Sequence, residues 1–339
     1  MDYMPSPDDY LKSIGDTTPL GPQSPRPKRH WLRNFLLLVG LVVVGVVAYL
    51  LYTLTTLSAN PLDFGALSGD GGRTNILILG IGDPGHAGEK LSDTMMVMSL
   101  DTQGQRVALI SIPRDLRVNI PGYGYGKINE ANALGGPQLA EQVVSNTLGI
   151  PIHYYMQTNF TGLKQAVDAV GGIDITVKTE LRDPEYPCST NENASCGLDI
   201  KPGQYHMNGA VALEYARCRK GTCGNDFGRA LRQQEVVKAV ETKALDPWLI
   251  LHPVRLNHLA AAFRDNIRTD LSTNDLLTVF DVLHKSPAPV DVVFSTSPGG
   301  LLGGVAGSSD LLPIGGSYAP LQEAAQNVFT ANPPPQPNQ

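Results

Sequence analysis

Asn75-Ile76-Leu77-Ile78-Leu79, closed by Gly80, is the stretch whose reading decides the fold. Its apolar residues run on without alternation, so a strand here is buried on both faces and not wetted on one. Two runs of the same kind follow, Thr94 to Leu100 and Arg106 to Ile112. Only Asp101-Thr102-Gln103-Gly104-Gln105 separates them, a short turn, so these two strands pair as an antiparallel hairpin. Downstream, helices and strands alternate. Pro137 to Leu148 reads as a helix with Pro at its first position and Gly149 at its end. Ile152 to Thr158 is a strand, Phe160 to Val170 a helix closed by Gly171-Gly172, and Ile173 to Val177 another strand. This order predicts an α/β domain of three layers, α/β/α, around a central mixed sheet.

The rest of the chain extends that core. Residues 178–206 read as a loop-rich insertion, and Asn208 caps the helix that delivers Arg217 and Arg219. A helix spans about Asp226 to Leu245, and helical structure continues to about Phe263. Ser272 with Asp275 opens a capped helix to Leu283. Val290 to Phe294 is a strand, Pro298 to Gly316 a glycine-rich loop, and Ala319 to Phe329 a last helix. No internal repeat is visible.

Outside this domain, 74–330, the composition changes. Residues 1–33 are rich in Pro, Ser and Asp without an apolar period and read as disordered, as does the Pro-rich tail 331–339. Segment 34–55 contains Phe35 to Leu54, uncharged and apolar, which covers roughly 30 Å as a helix and reads as a single membrane span. A cleaved signal peptide has a shorter apolar core closer to the start. Arg26, Lys28, Arg29 and Arg33 precede the span, and the next charge after it is Asp63. The positive-inside rule then sets the N-terminus in the cytoplasm and everything after the span outside. Residues 56–73 are a tether containing Gly and Ser.

The net charge of -6 over 339 residues excludes nucleic-acid binding by bulk charge, so any anion site is local. The four cysteines, Cys188, Cys196, Cys218 and Cys223, all lie past residue 180. Close pairs of this kind point to disulfides in an oxidising compartment, Cys188 with Cys196 and Cys218 with Cys223, since short loops close readily. A four-cysteine zinc site is the alternative, although these spacings differ from the usual zinc pattern.

The densest charge lies in Arg217-Cys218-Arg219-Lys220, then Asp226-Phe227-Gly228-Arg229 and Arg232-Gln233. On a helix from Asp226, the residues Asp226, Arg229 and Gln233 share the stripe of Val237, Val240 and Ala244, while Arg232, Glu235 and Lys238 lie away from it. An ordinary solvated charge cluster would sit opposite the apolar stripe. Here polar groups extend that stripe at the helix N-terminus, where anions bind best. Guanidinium forks bind phosphate oxygens in pairs, so this is read as a phosphate-binding face.

Gly80-Ile81-Gly82-Asp83-Pro84-Gly85 has the glycine spacing of a dinucleotide-binding turn. That turn must open a helix at once, and Pro84, Gly85 and Gly88 forbid one. The glycines instead turn the chain sharply around Asp83. If the first two strands are antiparallel, Asp83 and Asp93 meet at one sheet edge, and Arg114-Asp115 returns to it after the third strand. Two carboxylates beside phosphate-binding cations suit a hard divalent ion, Mg²⁺ or Mn²⁺. The plainer reading is that both acids cap turns. His86 and His153 have no partners at ligand spacing and read as structural. Asn159-Phe160-Thr161 and Asn193-Ala194-Ser195 match the short glycosylation pattern.

From about Asn75 to Val240 the chain resembles the LytR–CpsA–Psr family. The motifs that carry the resemblance are Ser92-Asp93-Thr94-Met95-Met96, Ser111-Ile112-Pro113-Arg114-Asp115, Lys127-Ile128-Asn129, Val167 to Ile173, Tyr215-Ala216-Arg217-Cys218-Arg219 and Asp226 to Gln233. The resemblance implies a phosphotransferase anchored in the bacterial cell membrane. Its partners would be a polyprenyl-pyrophosphate-linked glycan and peptidoglycan, joined through a phosphodiester. It further implies that Asp83 and Asp93 serve Mg²⁺, and that Arg114, Lys127, Arg217, Arg219, Arg229 and Gln233 bind the pyrophosphate. Asp226, Arg217 and Arg219 become the catalytic set, Asp226 orienting the arginines or aiding proton transfer. One position departs: the family usually has Arg before Ser-Asp-Thr, and this chain has Lys90-Leu91. Two rivals use the same groups, a polyprenyl-pyrophosphate phosphatase and a non-catalytic regulatory protein that binds polyprenyl phosphates. The three acids favour catalysis over mere binding.

Overall fold

A computed structural model describes residues 67–85, 88–188, 194–224, 226–244, 266–296 and 299–330, with the side chains of Asp226 and Thr273 left out. The expected membrane span, the helical stretch after Leu245, His86 and Asn193 lie outside the described residues. Among the described residues, no helix is long and apolar enough to cross a membrane.

The chain opens with an antiparallel meander of β1 (Arg73–Ile81), β2 (Ser92–Asp101) and β3 (Arg106–Ser111). A hairpin of β4 (Arg117–Ile120) and β5 (Gly124–Lys127) leads into α1 (Glu130–Leu148). Next come β6 (Tyr154–Asn159), α2 (Phe160–Ala169), β7 (Ile173–Val177), β8 (Leu181–Asp183), β9 (Leu198–Ile200) and β10 (Gly203–Met207). Two helices follow, α3 (Gly209–Arg217) and α4 (Asp226–Ala244). The remainder is β11 (Ile267–Thr269), α5 (Thr273–Lys285), β12 (Val290–Val293), a hairpin of β13 (Leu302–Gly304) and β14 (Leu311–Pro313), and α6 (Ala319–Gln326).

Six strands form the central sheet in the order β11-β6-β1-β2-β3-β12. It is mixed: β1 is parallel to β6 and antiparallel to β2, and β12 is parallel to β3. As the unalternating apolar run requires, β1 is buried on both faces. Leu77 and Leu79 pack with Ala140, Val143 and Val144 of α1 and Leu321 of α6. Ile76 faces the other way, with Leu100, Val107 and the α5 residues Val279 and Val282. Each such side chain contributes about 1.5–3 kcal/mol on burial. A third cluster joins β7 to α2, α3 and α4 through Val167, Ile173, Ala212, Tyr215 and Val236.

Local signals account for the helix ends. Gly135 and Gly136 break α1, Pro137 restarts it, and Gly149 ends it in the left-handed conformation, φ 61°. The Asn208 side chain accepts from the Val211 N–H, and Ser272 with Asp275 forms the expected capping box.

Three stretches read as loops contain paired strands. The insertion holds β8, β9 and β10, the Gly122–Gly126 segment is the tip and second arm of the β4–β5 hairpin, and the Gly-rich segment holds β13–β14. Strands of three to five residues, several with glycine, are too short to show a period-two pattern, and their pairing comes from tertiary context.

Candidate active site

The strand register settles where the acids fall. Gly80 pairs with Thr94 and Ile81 with Ser92, so Asp83 and Asp93 emerge at the same end of the sheet. Met96 pairs with Ser111, which returns Arg114 to that end. The Arg114 guanidinium pairs with the Asp93 carboxylate and also lies 3.5 Å from Asp115. The parallel neighbour β6 ends opposite β1, with Asn159 beside Ile81, so the first turn of α2 starts next to Asp83. The Asp83 carboxylate accepts from the Thr161 N–H and the Thr161 hydroxyl, each at 2.9 Å. Each acid is thus held by its own donor, Thr161 for Asp83 and Arg114 for Asp93.

The arginines arrive from the other side. Arg217 is the last residue of α3, Arg219 follows it, and Arg229 and Gln233 lie one turn apart on α4. The loop between the helices is tied down three ways. Cys218 and Cys223 form a disulfide, as Cys188 and Cys196 do, and with the sulfurs paired the zinc reading fails. The buried Asp183 carboxylate accepts from the backbone N–H groups of Arg219 and Lys220, at 3.2 and 2.9 Å. Arg232 donates to the carbonyls of Tyr215, Cys218 and Cys223. Gly221, at φ +61°, allows the close passage of β8, because a Cβ there would meet the Arg182 carbonyl oxygen at 2.1 Å.

The helical wheel placed Arg232 and Glu235 away from the buried stripe, and the structure corrects this. Arg232 is 7% exposed, and Glu235 accepts from the Tyr215 hydroxyl. The helix is flanked by α3 as well as by the cavity, so it has more than one buried face. Burial lowers the Arg232 pKa and, with Glu235, raises that of Tyr215.

Both groups of residues face one cavity of about 290 Å³. Asp93, Arg114, Arg217, Arg219, Arg229 and Gln233 are part of its polar lining, to which Asp183, Glu185 and Lys220 also contribute. Ile78, Ile81, Phe160, Leu163, Leu213, Val236 and Val237 supply apolar walls. Arg217 lies over the Phe160 ring, 4.2 Å from its centroid. Two expected site residues, Asp83 and Lys127, are not among the lining residues. Asp83 is turned toward Thr161, and the Lys127 ammonium is bound by Asp115 and Ser309, both at 2.6 Å. Lys127 and Arg114 share Asp115 as a partner. The backbone of Asp226 opens α4, and its side chain lies outside the described part. Lys90 is exposed, with its carbonyl taken by Asn132. The Asn159 side chain accepts from the Gly162 N–H, so that glycosylation-like motif is built into a helix cap. His153 accepts from the Asn75 N–H beneath the sheet, in keeping with a structural role.

Sequence reasoning missed Thr161, Phe160, Asp183 and Arg232. Phe160, Thr161 and Asp183 stand outside the charged runs and act on partners tens of residues away, so no local signal marks them. Arg232 stands in the charged run, but on the face that the helical wheel set apart from the buried stripe.

A cationic mouth over apolar walls defines a site for an anionic group carrying an apolar tail. The chain belongs to the LytR_cpsA_psr family, whose model matches residues 55–308. It is 35% identical over 206 residues to the polyisoprenyl-teichoic acid–peptidoglycan teichoic acid transferase TagU of Enterococcus faecalis, covering 60% of this chain and 63% of that protein. The match thus spans somewhat less than two thirds of that relative. Among solved structures, Bacillus subtilis TagV superimposes with a TM-score of 0.61 at 25% identity, over 78% of this chain and all of that one. TagT bound to LI-WTA gives 0.59 at 26% identity, over 78% of this chain and 94% of that one.

Proposed function

We propose that this protein is an extracytoplasmic phosphotransferase. It takes a glycopolymer from an undecaprenyl-pyrophosphate carrier and attaches it to peptidoglycan through a phosphodiester. The observation that carries the proposal is the cavity in which Arg114, Arg217, Arg219, Arg229 and Gln233 face apolar walls. A polyprenyl pyrophosphate is an anion with an apolar tail, which is what this lining accommodates.

The chemistry follows from the charges. An acceptor hydroxyl attacks the phosphorus next to the glycan, a new O–P bond forms, the bridging P–O bond breaks, and polyprenyl monophosphate leaves. Arginine forks aimed at the phosphate oxygens stabilise the charge that builds on them, and no covalent enzyme intermediate is needed. The hydroxyl proton is assigned to Asp226, at the first position of α4. The Asp83 and Asp93 carboxylates, which emerge at the same sheet end, are the oxygen donors that would hold Mg²⁺ or Mn²⁺. When bound, such an ion neutralises phosphate charge. In this reading Lys127 acts through Asp115 and Arg114 rather than by direct contact.

The proposal includes the setting. Residues 34–55 span the bacterial cell membrane once, residues 1–33 stay in the cytoplasm, and the three-layered domain 74–330 lies outside. The basic residues before the span and the two disulfides of the domain support this.

The test is incubation with a lipid-pyrophosphate-linked glycan, peptidoglycan oligomers and Mg²⁺. A phosphodiester-linked glycan–peptidoglycan product is expected. Release of glycan phosphate to water alone would make the protein a phosphatase, and binding without turnover would make it a regulator.

A further inference from the structure

We infer that Phe160 and Thr161, consecutive residues in the first turn of α2, form one positioning device for two groups that the sequence supplies from distant places. The inference rests on the phosphotransferase reading and assigns the alignment of its charges. Parallel pairing of β6 with β1 sets Asn159 against Ile81, so the turn that follows starts beside the exit of β1 toward Asp83. Asn159 caps the helix through the Gly162 N–H, which fixes the conformation of this turn. From that rigid base the two side chains serve different partners. Thr161 gives the Asp83 carboxylate two hydrogen bonds, from its N–H and its hydroxyl, and so sets the direction of the oxygens. Phe160 lies under the Arg217 guanidinium at 4.2 Å and is itself part of the cavity wall.

A planar cation stacked on a ring keeps its N–H edge directed outward, whereas an aliphatic support leaves it free to tilt. A carboxylate held by two donors keeps its remaining lone pairs in fixed directions, as hydrogen-bonded carboxylates do around metal sites. Neither residue supplies a reacting atom, and both act through another side chain.

The two halves separate experimentally in the full-length protein. The probes are inorganic pyrophosphate and Mn²⁺ alone, titrated by calorimetry, with turnover of the lipid-linked donor followed in parallel. Phe160→Leu is expected to weaken pyrophosphate binding roughly fivefold and leave Mn²⁺ affinity unchanged, with Phe160→Tyr restoring it. Thr161→Val, which keeps the N–H and loses the hydroxyl, is expected to weaken Mn²⁺ roughly tenfold and spare pyrophosphate, with Thr161→Ser restoring it. Equal loss of both ligands in both variants, tracking a lower melting temperature, would show mere structural support and overturn the inference. So would variants indistinguishable from wild type. A wild-type protein that binds neither probe would overturn the phosphotransferase reading, and this inference with it.

Discussion

At the scale of single residues, the site is a balance of charges from opposite sides of one cavity. Arg217 and Arg219 come from the end of α3 and the loop after it, Arg114 from the end of β3, and Asp93 pairs with Arg114. Removing one preorganised cation from such a place costs on the order of 10²-fold in turnover. Arg217→Ala and Arg219→Ala are therefore expected to lose about that much while melting near wild type, since both groups serve the cavity and not the core. Turnover near wild type in both variants would return them to surface decoration. Asp93→Asn removes a proposed ion ligand and the partner of Arg114, and is expected to lower activity and its Mg²⁺ dependence together. Asp101 is the internal control. It pairs with Arg106 at the opposite end of β2, facing Arg73, and Asp101→Asn is expected to leave turnover unchanged. Full activity of Asp93→Asn in a chelator would remove the ion from the mechanism.

At the scale of elements, α4 carries two jobs on different faces. Arg229 and Gln233 line the cavity, while Arg232 holds the ends of α3 and its loop through three carbonyls. Hydrogen bonds from a buried charged donor are worth about 1.5–3 kcal/mol each, and their loss leaves the carbonyls unmet. Arg232→Ala is expected to destabilise by about 3 kcal/mol or more, seen as a lower urea midpoint with an unchanged slope. Lys at this position is not expected to rescue, because one ammonium lacks the fork geometry. A second prediction lies between α1 and β11. Half-burial, with the Asp270 charge nearby, raises the Glu141 pKa to about 7. A raised folded-state pKa means that the protonated form is favoured. The stabilisation is then complete below the unfolded value near 4.5 and fades as pH rises toward 7. Glu141→Gln is expected to melt higher than wild type at pH 8 and alike at pH 4; a constant gap across that range would refute the assignment. These elements also show what could be read in advance. The β1–β3 meander, the Asn208 and Ser272 caps and the Pro137–Gly149 helix were legible because their signals are local. The meeting of Asp93 and Arg114 was legible from strand order and that of Arg229 and Gln233 from helical spacing, while the motifs of the family resemblance joined them with Arg217 and Arg219 in one site. Asp183, Arg232 and the short strands β8 to β10 were not, since their pairing depends on segments far off in sequence. Lys127 was placed at the site by its motif, and the structure pairs it with Asp115 and Ser309.

At the scale of the whole molecule, charge, cysteine chemistry and the nature of the proposed substrate must agree on one compartment. A lipid-linked donor and a cell-wall acceptor meet only on the outer side of the cell membrane. Arg26, Lys28, Arg29 and Arg33 crowd the approach to the apolar segment, and short flanking loops rich in Arg and Lys stay inside. Both disulfides lie in the domain beyond that segment, and such bonds persist where thiols are not kept reduced. On this proposal the Cys218–Cys223 bond would tie orientation to activity, because Arg219 sits within the loop it closes. Replacing Arg26, Lys28, Arg29 and Arg33 together by Ser is therefore expected to do more than disturb insertion. Part of the population should place its domain in the cytoplasm, where all four cysteines can be alkylated without prior reduction, and turnover should fall in step with that fraction. In wild-type cells the same cysteines are expected to resist alkylation until reductant is added, and a reporter enzyme active only outside the membrane, fused after Thr330, is expected to be active. A wild-type chain whose thiols all react freely, with that reporter silent, would place the domain inside and separate it from both proposed substrates.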